Sequence, residues 1–203
     1  MDAYQPCPCG SGKKFKWCCQ PFYGEILHAL QLRQNNQQEA ALAVLEKLTQ
    51  AHPNSTEVWG RYAEFLWAAA RREEAESALD RAMELNPRYA HGYFLRATFR
   101  HDERDAPAAL GLYRKAEELT PAEDRALRAN ICTNLAQIEM MHQRPLAALA
   151  AVEIAQRLAP DDEHVRDLAN RYFGVESRVP AILRRRHAMP PQPVDAPAVQ
   201  RQS

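Results

Sequence analysis

Four of the five cysteines in this chain of 203 residues lie within thirteen positions, in the stretch CPCGSGKKFKWCC at residues 7–19. They form two pairs, Cys7 with Cys9 and Cys18 with Cys19, on either side of a glycine-rich segment. Zinc binds four thiolates tetrahedrally, and glycine lets the backbone turn tightly enough to bring the second pair back to the first. The spacing therefore predicts a zinc site with these four cysteines as ligands.

Two other roles for these cysteines explain the pattern less well. A redox pair at Cys18 and Cys19 needs a strained disulfide between neighbours, and isolated reactive thiols do not account for four cysteines around a glycine turn. Four protein ligands also leave no open position for water or substrate, so we expect a structural metal and no catalytic one. Lys13, Lys14 and Lys16 offset part of the negative charge of a tetrathiolate centre.

Composition places the chain among soluble, mainly helical proteins. Hydrophobic residues make up 46% and charged residues 26%, while glycine is scarce and Ala, Leu, Glu, Arg and Gln fill the middle. We expect a cytosolic protein, because no apolar run approaches the ~20 residues that span a bilayer and no secretory leader is recognisable. Thiols stay reduced in the cytosol, which favours metal ligands over disulfides. The net charge is zero, with weakly basic ends around an acidic body.

The string CPCGSGKKFKWCC closely resembles the SEC-C motif, the zinc-binding module at the C-terminus of the preprotein translocase motor SecA and in small bacterial proteins. The resemblance covers about 20 residues and implies zinc ligands at Cys7, Cys9, Cys18 and Cys19. In the translocase the module contacts the export chaperone SecB and the ribosome, so the resemblance implies a surface that contacts such partners. The chain has no phosphate-binding GxxxxGK[ST] loop and is therefore not a motor.

Evenly spaced prolines indicate a repeat in the body of the chain. Pro53, Pro87 and Pro121 are 34 residues apart, and Pro160 follows after 39. Alanines recur at the eighth and twentieth places of the stretches that end near these prolines. The pattern resembles the tetratricopeptide repeat, in which two antiparallel helices cross closely at small residues and a proline ends the second helix.

We therefore predict an all-α fold, a four-repeat tetratricopeptide solenoid preceded by a small four-cysteine zinc knuckle and followed by a capping helix. Five inserted residues after Glu123 are expected to lengthen one connection. The predicted boundaries are 1–21 for the knuckle, 22–55, 56–89, 90–123 and 129–162 for the repeats, 163–187 for the capping helix and a basic segment, and 188–203 for a disordered Pro-rich tail.

The first helix of each repeat is expected to line a concave groove that binds a protein or peptide. Residues at the inward places of these helices are the predicted groove contacts, although Trp67 and Phe94 could equally well pack against the neighbouring helix. On the knuckle, the predicted partner contacts are Lys13, Lys14, Lys16 and Trp17. The predicted groove contacts are Glu57, Glu64, Trp67, His91, Phe94, His101, Asn130, Thr133 and Gln137.

No catalytic arrangement is recognisable, because the seven histidines are scattered and no nucleophile elbow is present. A run of three arginines, Arg184 to Arg186, is more often a solvated helix end than a nucleic-acid contact, so nucleic-acid binding is not predicted. The sequence predicts a non-enzymatic bacterial adaptor, linked through the resemblance to protein export or the ribosome. The alternative is a scaffold or regulatory factor in which the zinc knuckle is only a structural staple.

Overall fold

The computed structural model describes residues 2–7 and 9–173, and in this part of the chain every regular element is a helix. The all-α prediction is confirmed. A 3₁₀ turn at Phe15–Trp17 precedes the α-helices. These are α1 (Gln20–Gln34), α2 (Gln38–Ala51), α3 (Thr56–Ala68), α4 (Arg72–Leu85), α5 (Ala90–Asp102), α6 (Ala106–Leu119), α7 (Arg125–Met141), α8 (Pro145–Leu158) and α9 (Glu163–Phe173).

The first eight α-helices pair in chain order into four antiparallel hairpins, with the most extensive contacts inside each pair. The two helices of a hairpin approach closely because the residues at their crossing are alanines without exposed surface. The first helices also touch one another, since α3 contacts α5 and α5 contacts α7. They therefore form one layer of the stack. The crossing alanines are Ala29, Ala63, Ala97 and Ala136 in the first helices and Ala41, Ala75, Ala109 and Ala148 in the second.

The turn inside every hairpin has the same geometry. One residue adopts a left-handed conformation with φ between 58° and 65°, and the next backbone N–H donates to the carbonyl five residues earlier at 2.8 to 2.9 Å. This Schellman-type hydrogen bond satisfies carbonyls at the end of the first helix. Glycine is the usual residue at such a position. Because none of the four left-handed residues is glycine, the sequence does not predict the turns. The left-handed residues are Asn36, Ala70, Arg104 and Gln143.

The repeating prolines mark the ends of hairpins. Pro53, Pro87, Pro121 and Pro160 each lie two residues beyond the last residue of α2, α4, α6 and α8. Only one of the five inserted residues lengthens the connection, which spans 120–124 where the earlier connections span 52–55 and 86–89. The other four extend the start of α7, which has 17 residues.

Tyr89 packs in the space that two glycines leave between α3 and α5. Its ring is fully buried, and a Cβ added to Gly60 would lie 2.5 Å from its hydroxyl oxygen. A Cβ on Gly92 would lie 2.7 Å from the ring carbon Cδ1. The hydroxyl donates to the Glu57 carboxylate at 2.9 Å. Close packing of the second repeat on the third therefore requires glycine at both places.

Both ends of the described stack are covered. At one end the cysteine knuckle and the first hairpin share a continuous core that includes Phe15, Phe22 and Ile26. At the other end α9 buries Val165 and Leu168 against α8 and α7. None of the described helices is both long and apolar enough to span a membrane. Residues 174–203, with the predicted basic segment and Pro-rich tail, lie outside the described residues.

Gly60→Ala should destabilise the protein by about 1–3 kcal/mol, because the added methyl group overpacks Tyr89 in an interface that cannot move apart freely. Gly111→Ala is the matched control, since Gly111 lies in α6 and a Cβ there meets no atom within 4 Å. The control should stabilise by about 1 kcal/mol through helix propensity. Chemical denaturation of both variants measures these changes, and equal stabilities would contradict the packing described for Tyr89.

Candidate functional site

The knuckle is a short loop that folds back on itself, and backbone hydrogen bonds join its two arms. The backbone N–H of Cys7 donates to the Lys13 carbonyl at 2.8 Å, and that of Phe15 donates to the Gln5 carbonyl at 2.9 Å. Between these arms Gly10 and Gly12 both have φ of +73°, a conformation that other residues adopt at a cost. The two glycines therefore make the reversal that brings the second cysteine pair to the first.

The four sulfur atoms of the knuckle lie within 4.8 Å of one another. Neighbouring pairs are 3.4 Å apart for Cys7 and Cys9, 3.5 Å for Cys9 and Cys18, and 3.8 Å for Cys18 and Cys19. These separations exclude disulfides, whose sulfurs are about 2.05 Å apart. Four thiolates at about 2.3 Å from a shared ion would be about 3.8 Å apart in a tetrahedron. The arrangement therefore fits a metal held by four cysteines.

Hydrogen bonds and burial shift the pKa values of the clustered thiols in opposite directions. Hydrogen bonds from the Cys19 and Cys9 thiols lower the pKa of Cys7 to about 4. The same hydrogen bond with Cys7, a second with Cys9, and burial raise the pKa of Cys19. In addition, the Ser11 hydroxyl lies 3.1 Å from the Cys18 sulfur, where it can donate to a thiolate. Thiols that bind a metal do so as thiolates, so metal binding here would release protons.

The last cysteine of the cluster begins the repeat region. Cys19 is the residue at the N-cap of α1, so the cysteine cluster and the first repeat helix are directly joined. Phe15 and Tyr23 pack edge to face with ring centres 5.1 Å apart, and Phe22 lies 4.6 Å from the His52 ring in the α2–α3 connection. The knuckle is thus packed on α1 through Phe15, and α1 in turn contacts the α2–α3 connection through Phe22.

A polar contact joins the knuckle to the α4–α5 connection, 77 residues away in sequence. The Asn86 side-chain amide donates to the Cys9 carbonyl at 3.1 Å. Gly10 lies against the same side chain, since a Cβ there would be 3.2 Å from the amide nitrogen of Asn86. No feature of the sequence marks Asn86 as part of the site, because the contact depends on how the second repeat stacks.

The outward side of the knuckle presents aromatic rings and ammonium groups together. Trp17 is 62% exposed and Tyr4 is 56% exposed, and the two rings meet edge to face at 6.0 Å. The ammonium groups of Lys14 and Lys16 lie 5.0 to 6.0 Å from the centres of both rings. Lys13 is also exposed. Tyr4 therefore joins the predicted residues on this surface, and sequence reasoning missed it.

A cleft of 380 Å³ separates the knuckle from the α2–α3 connection. Ser11 and Trp17 line it on the knuckle side, and His52 and Asn54 line it on the repeat side. Cys18, the one half-buried cysteine of the cluster, also lies at this cleft. The cleft is therefore the route by which a metal or a chelator would reach the sulfurs.

Two of the predicted groove residues are buried. Thr133 is 2% exposed, and its hydroxyl donates to the Ala129 carbonyl. Glu57 is 5% exposed and accepts hydrogen bonds from Tyr89 and Arg61. Neither side chain can contact a partner in this structure, because both are buried and hydrogen-bonded within the chain.

Glu57 belongs to a cluster of charges that joins the first three repeats. Arg61 donates from Nε to Glu57 at 2.8 Å and from Nη1 to Glu64 at 3.0 Å. Arg33 of α1 donates to Glu64 at 2.9 Å, and His91 Nε2 of α5 lies 4.0 Å from it. Burial raises the pKa of Glu57, but Arg61 and then His91 outweigh burial and leave that pKa below its usual value. Both carboxylates thus stay ionised and paired.

Trp67 and Phe94 both make contacts within the chain and are half-buried. The Trp67 ring stacks on Phe99 with centres 3.9 Å apart, and its Nε1–H donates to Asp102 at 2.7 Å. The Arg72 guanidinium lies 4.4 Å from the centre of the same ring. Phe94 contacts the His91 ring at 5.7 Å and remains half-buried. Of the other predicted residues, Asn130 is exposed and Glu64, His91, His101 and Gln137 are half-buried.

Comparisons with known families bear on both parts of the chain. A SEC-C motif model matches residues 5–21, and a tetratricopeptide repeat model matches residues 32–97. The chain carries a SEC-C motif fused to tetratricopeptide repeats. The SEC-C match contains all four clustered cysteines, so motif and geometry together indicate metal binding. No curated protein matches the sequence.

Solved structures share the fold of this chain at low sequence identity. PilF of Pseudomonas aeruginosa is similar with a TM-score of 0.64 and 17% identity over 83% of this chain and 74% of that one. A structure of MamA has a TM-score of 0.52 and 16% identity over 78% of this chain and 87% of that one. A second MamA structure has a TM-score of 0.51 and 16% identity over 80% and 84%. These likenesses show the repeat fold alone.

Changing Cys18 and Cys19 to serine should abolish metal binding, because two of four ligands are lost. Cys132→Ser is the matched control. Cys132 is buried beside Ala155 and Val165 in the fourth repeat, and burial raises the pKa of its thiol to about 11. Elemental analysis should find about one metal per chain in the wild type and in the Cys132 variant. Metal retained at that level without Cys18 and Cys19 would contradict the assigned ligands.

His91 should make the repeats less stable in acid. Burial and the nearby Arg61 charge lower its pKa from 6.5 to about 4, so the unfolded chain takes up the proton first. The stability that neutral His91 contributes is present above pH 6.5 and is lost as the pH falls towards 4. The difference in stability between wild type and His91→Gln should change by about 3 kcal/mol over that range.

Denaturant titrations at pH 7 and pH 4.5 measure this difference. Acid removes metal from the cysteines of both proteins, so the comparison isolates the histidine. Parallel stability curves for wild type and variant would show that His91 is not held neutral.

Proposed function

We propose that this protein is a cytosolic, non-enzymatic zinc-binding adaptor that holds one protein through its SEC-C knuckle and another in the groove of its repeats. The observation that carries the proposal is the cluster of four sulfurs within 4.8 Å, joined to α1 of the repeats and flanked by an exposed patch of lysines and aromatic rings. In such a unit the bound metal would hold the knuckle in shape, and the exposed patch would contact a protein partner.

Zinc is the proposed metal because the donor set consists of four cysteine sulfurs at tetrahedral separations. Closed four-thiolate sites of this kind are characteristic of structural zinc. Cys7, Cys9, Cys18 and Cys19 would hold the ion. When bound, zinc supplies a cross-link between the two arms of the knuckle and neutralises part of the thiolate charge. The elemental analysis described above identifies the metal as well as its amount.

The knuckle contact is proposed to involve Lys13, Lys14, Lys16 and Trp17, with Tyr4 beside them. Exposed Trp and Tyr rings supply apolar area at little cost in conformational entropy, and the lysines add positive charge around them. An export chaperone or the ribosome is the proposed partner class, and this step is supported only by the likeness of the motif to that of the translocase motor. The rest of the proposal stands without it.

The groove contact is proposed to involve a peptide or protein segment lying along α3, α5 and α7. Glu64, His101, Asn130 and Gln137 are the polar side chains that would meet it, and Phe94 offers an apolar edge. Trp67 and His91 would shape the groove from within, because their rings already pack against Phe99, Tyr89 and Phe94. Glu57 and Thr133 would act only through their buried contacts.

The second candidate function is that of a scaffold or regulatory factor in which zinc only staples the knuckle to the repeats. The contact between Asn86 and Cys9, and the continuous core under the knuckle, favour this candidate. The two functions differ in whether the exposed face of the knuckle binds anything. They can therefore be separated by changing that face and leaving the cysteines intact.

Replacing Lys13, Lys14, Lys16 and Trp17 together by alanine should remove the knuckle partner without removing metal. Affinity capture with crosslinking from the native cell, read by mass spectrometry, compares this variant with wild type. The control variant changes Lys47 and Lys115, which lie on α2 and α6. A third variant, Asn130→Ala with Gln137→Ala, should lose a different set of partners.

The adaptor proposal expects the knuckle and groove variants to lose different proteins, while the control keeps both sets. If the knuckle variant keeps every partner and still contains one metal per chain, the knuckle is only a staple and the scaffold candidate stands.

A further inference from the structure

A chain of hydrogen bonds that starts at Cys9 links the cysteine cluster to the second and third repeats. We call this chain of contacts the first route. The carbonyl of Cys9 accepts from the Asn86 amide, and the Asn86 Oδ1 accepts from the backbone N–H of Arg88 at 3.0 Å. The Tyr89 N–H donates to the Asn86 carbonyl at 3.0 Å. The position of a metal-ligating residue therefore fixes the connection from which the Tyr89 ring enters the core.

Tyr89 continues this route into the charge cluster. Its fully buried ring fills the space between Gly60 and Gly92, so it cannot shift without separating α3 from α5. Its hydroxyl donates to Glu57, which in turn accepts from Arg61. Each step is a direct contact between packed groups.

A second route leaves from Cys19 and reaches the same cluster from the other side. Cys19 begins α1, a continuous helix of 15 residues, and Arg33 near its end donates to Glu64. Arg61 donates to both Glu57 and Glu64, so it joins the ends of the two routes. Two cysteines of one cluster thus connect to the two sides of one partly buried ion network.

We propose that the metal acts as a brace whose presence sets the stacking of the first three repeats and the ion network at the centre of the groove. The knuckle is the element with two states, because a site of this size folds when its metal binds and loses its shape without it. Without the metal, the hydrogen bond between Cys9 and Asn86 is lost and the start of α1 is no longer held. The ion network then loses its links to the knuckle through Tyr89 and through Arg33. Groove binding is consequently regulated by metal occupancy.

The Asn86 contact reaches beyond the first hairpin. By contrast, the aromatic contact of Phe15 holds the knuckle only to α1. Coupling also runs both ways, so a partner that tightens the groove raises the affinity for metal by the same factor. A larger cleft of 560 Å³ beside Trp59 and Tyr62 is not part of this device.

Hydrogen exchange read by mass spectrometry tests the brace on the full chain. Zinc-loaded protein is compared with protein treated with a zinc chelator, and with the same sample after zinc is restored. Amide exchange in α3 and α5 should accelerate about tenfold on chelation and recover with zinc, while α7 and α8 stay within about twofold. This expectation rests on the metal-binding half of the proposed function, whose own failure would appear as an absence of bound zinc.

Asn86→Asp separates the brace from general destabilisation. It replaces the amide donor to Cys9 with an acceptor and keeps the oxygen that accepts from Arg88. With one zinc still bound, this variant should show the acceleration in α5. Asn54→Asp is the matched control, since Asn54 lies in the preceding connection, exposed and beside the same knuckle, and the variant should behave as wild type.

Acceleration confined to residues 2–34 would overturn the proposal, because the metal would then support only the knuckle and α1. Acceleration of α8 to the same extent as α5 would also overturn it, since global unfolding would replace the two routes. Wild-type exchange in zinc-loaded Asn86→Asp would remove the route through Cys9.

Discussion

The close crossing of two antiparallel helices at fully buried alanines is the constraint on which this fold depends. Helices that touch so closely form a thin hairpin, and a thin hairpin has too little interior to bury its own large side chains. Leu45, Leu79, Tyr113 and Val152, on the second helices, are fully buried in the stacked hairpins. Stacking in turn leaves an open apolar face at each end, which explains why the chain needs a cover on its first and last repeats.

The knuckle is the cover at the first repeat, and its chemistry follows from its size. About twenty residues cannot build a core that pays for ordering the backbone, so cross-links by metal or disulfide commonly replace the core in units this small. Here the cysteines themselves enter the core of the first hairpin, with Cys7, Cys9 and Cys19 less than 5% exposed. The cysteines that form the candidate metal site are thus also residues that cap the solenoid.

Most of the fold follows from local sequence signals, but the turns inside the hairpins and the contacts made by stacking do not. Alanine spacing and prolines locate the hairpins, because the crossing geometry admits little else at those places. The left-handed turns at Ala70 and Arg104 escape prediction, since the whole hairpin imposes a conformation that neither residue prefers. Asn86 escapes for a related reason, as its role depends on a carbonyl brought near by tertiary stacking.

The ion pair of Glu57 and Arg61 requires a fixed alignment of the stacked helices. Removing Glu57 and Arg61 from water costs free energy that the pair recovers only with near-ideal geometry, so such a pair contributes more to a unique arrangement than to stability. The ion network spans α1, α3 and α5, and any slippage between these helices would leave a buried charge unpaired. Apolar stacking alone tolerates small slippage, because its energy depends on area and not on direction. The knuckle contacts two of the three helical hairpins that carry the network, through Tyr23 of α1 and Asn86 after α4. The knuckle at the end of the stack thus contacts two of the hairpins whose alignment the ion network requires.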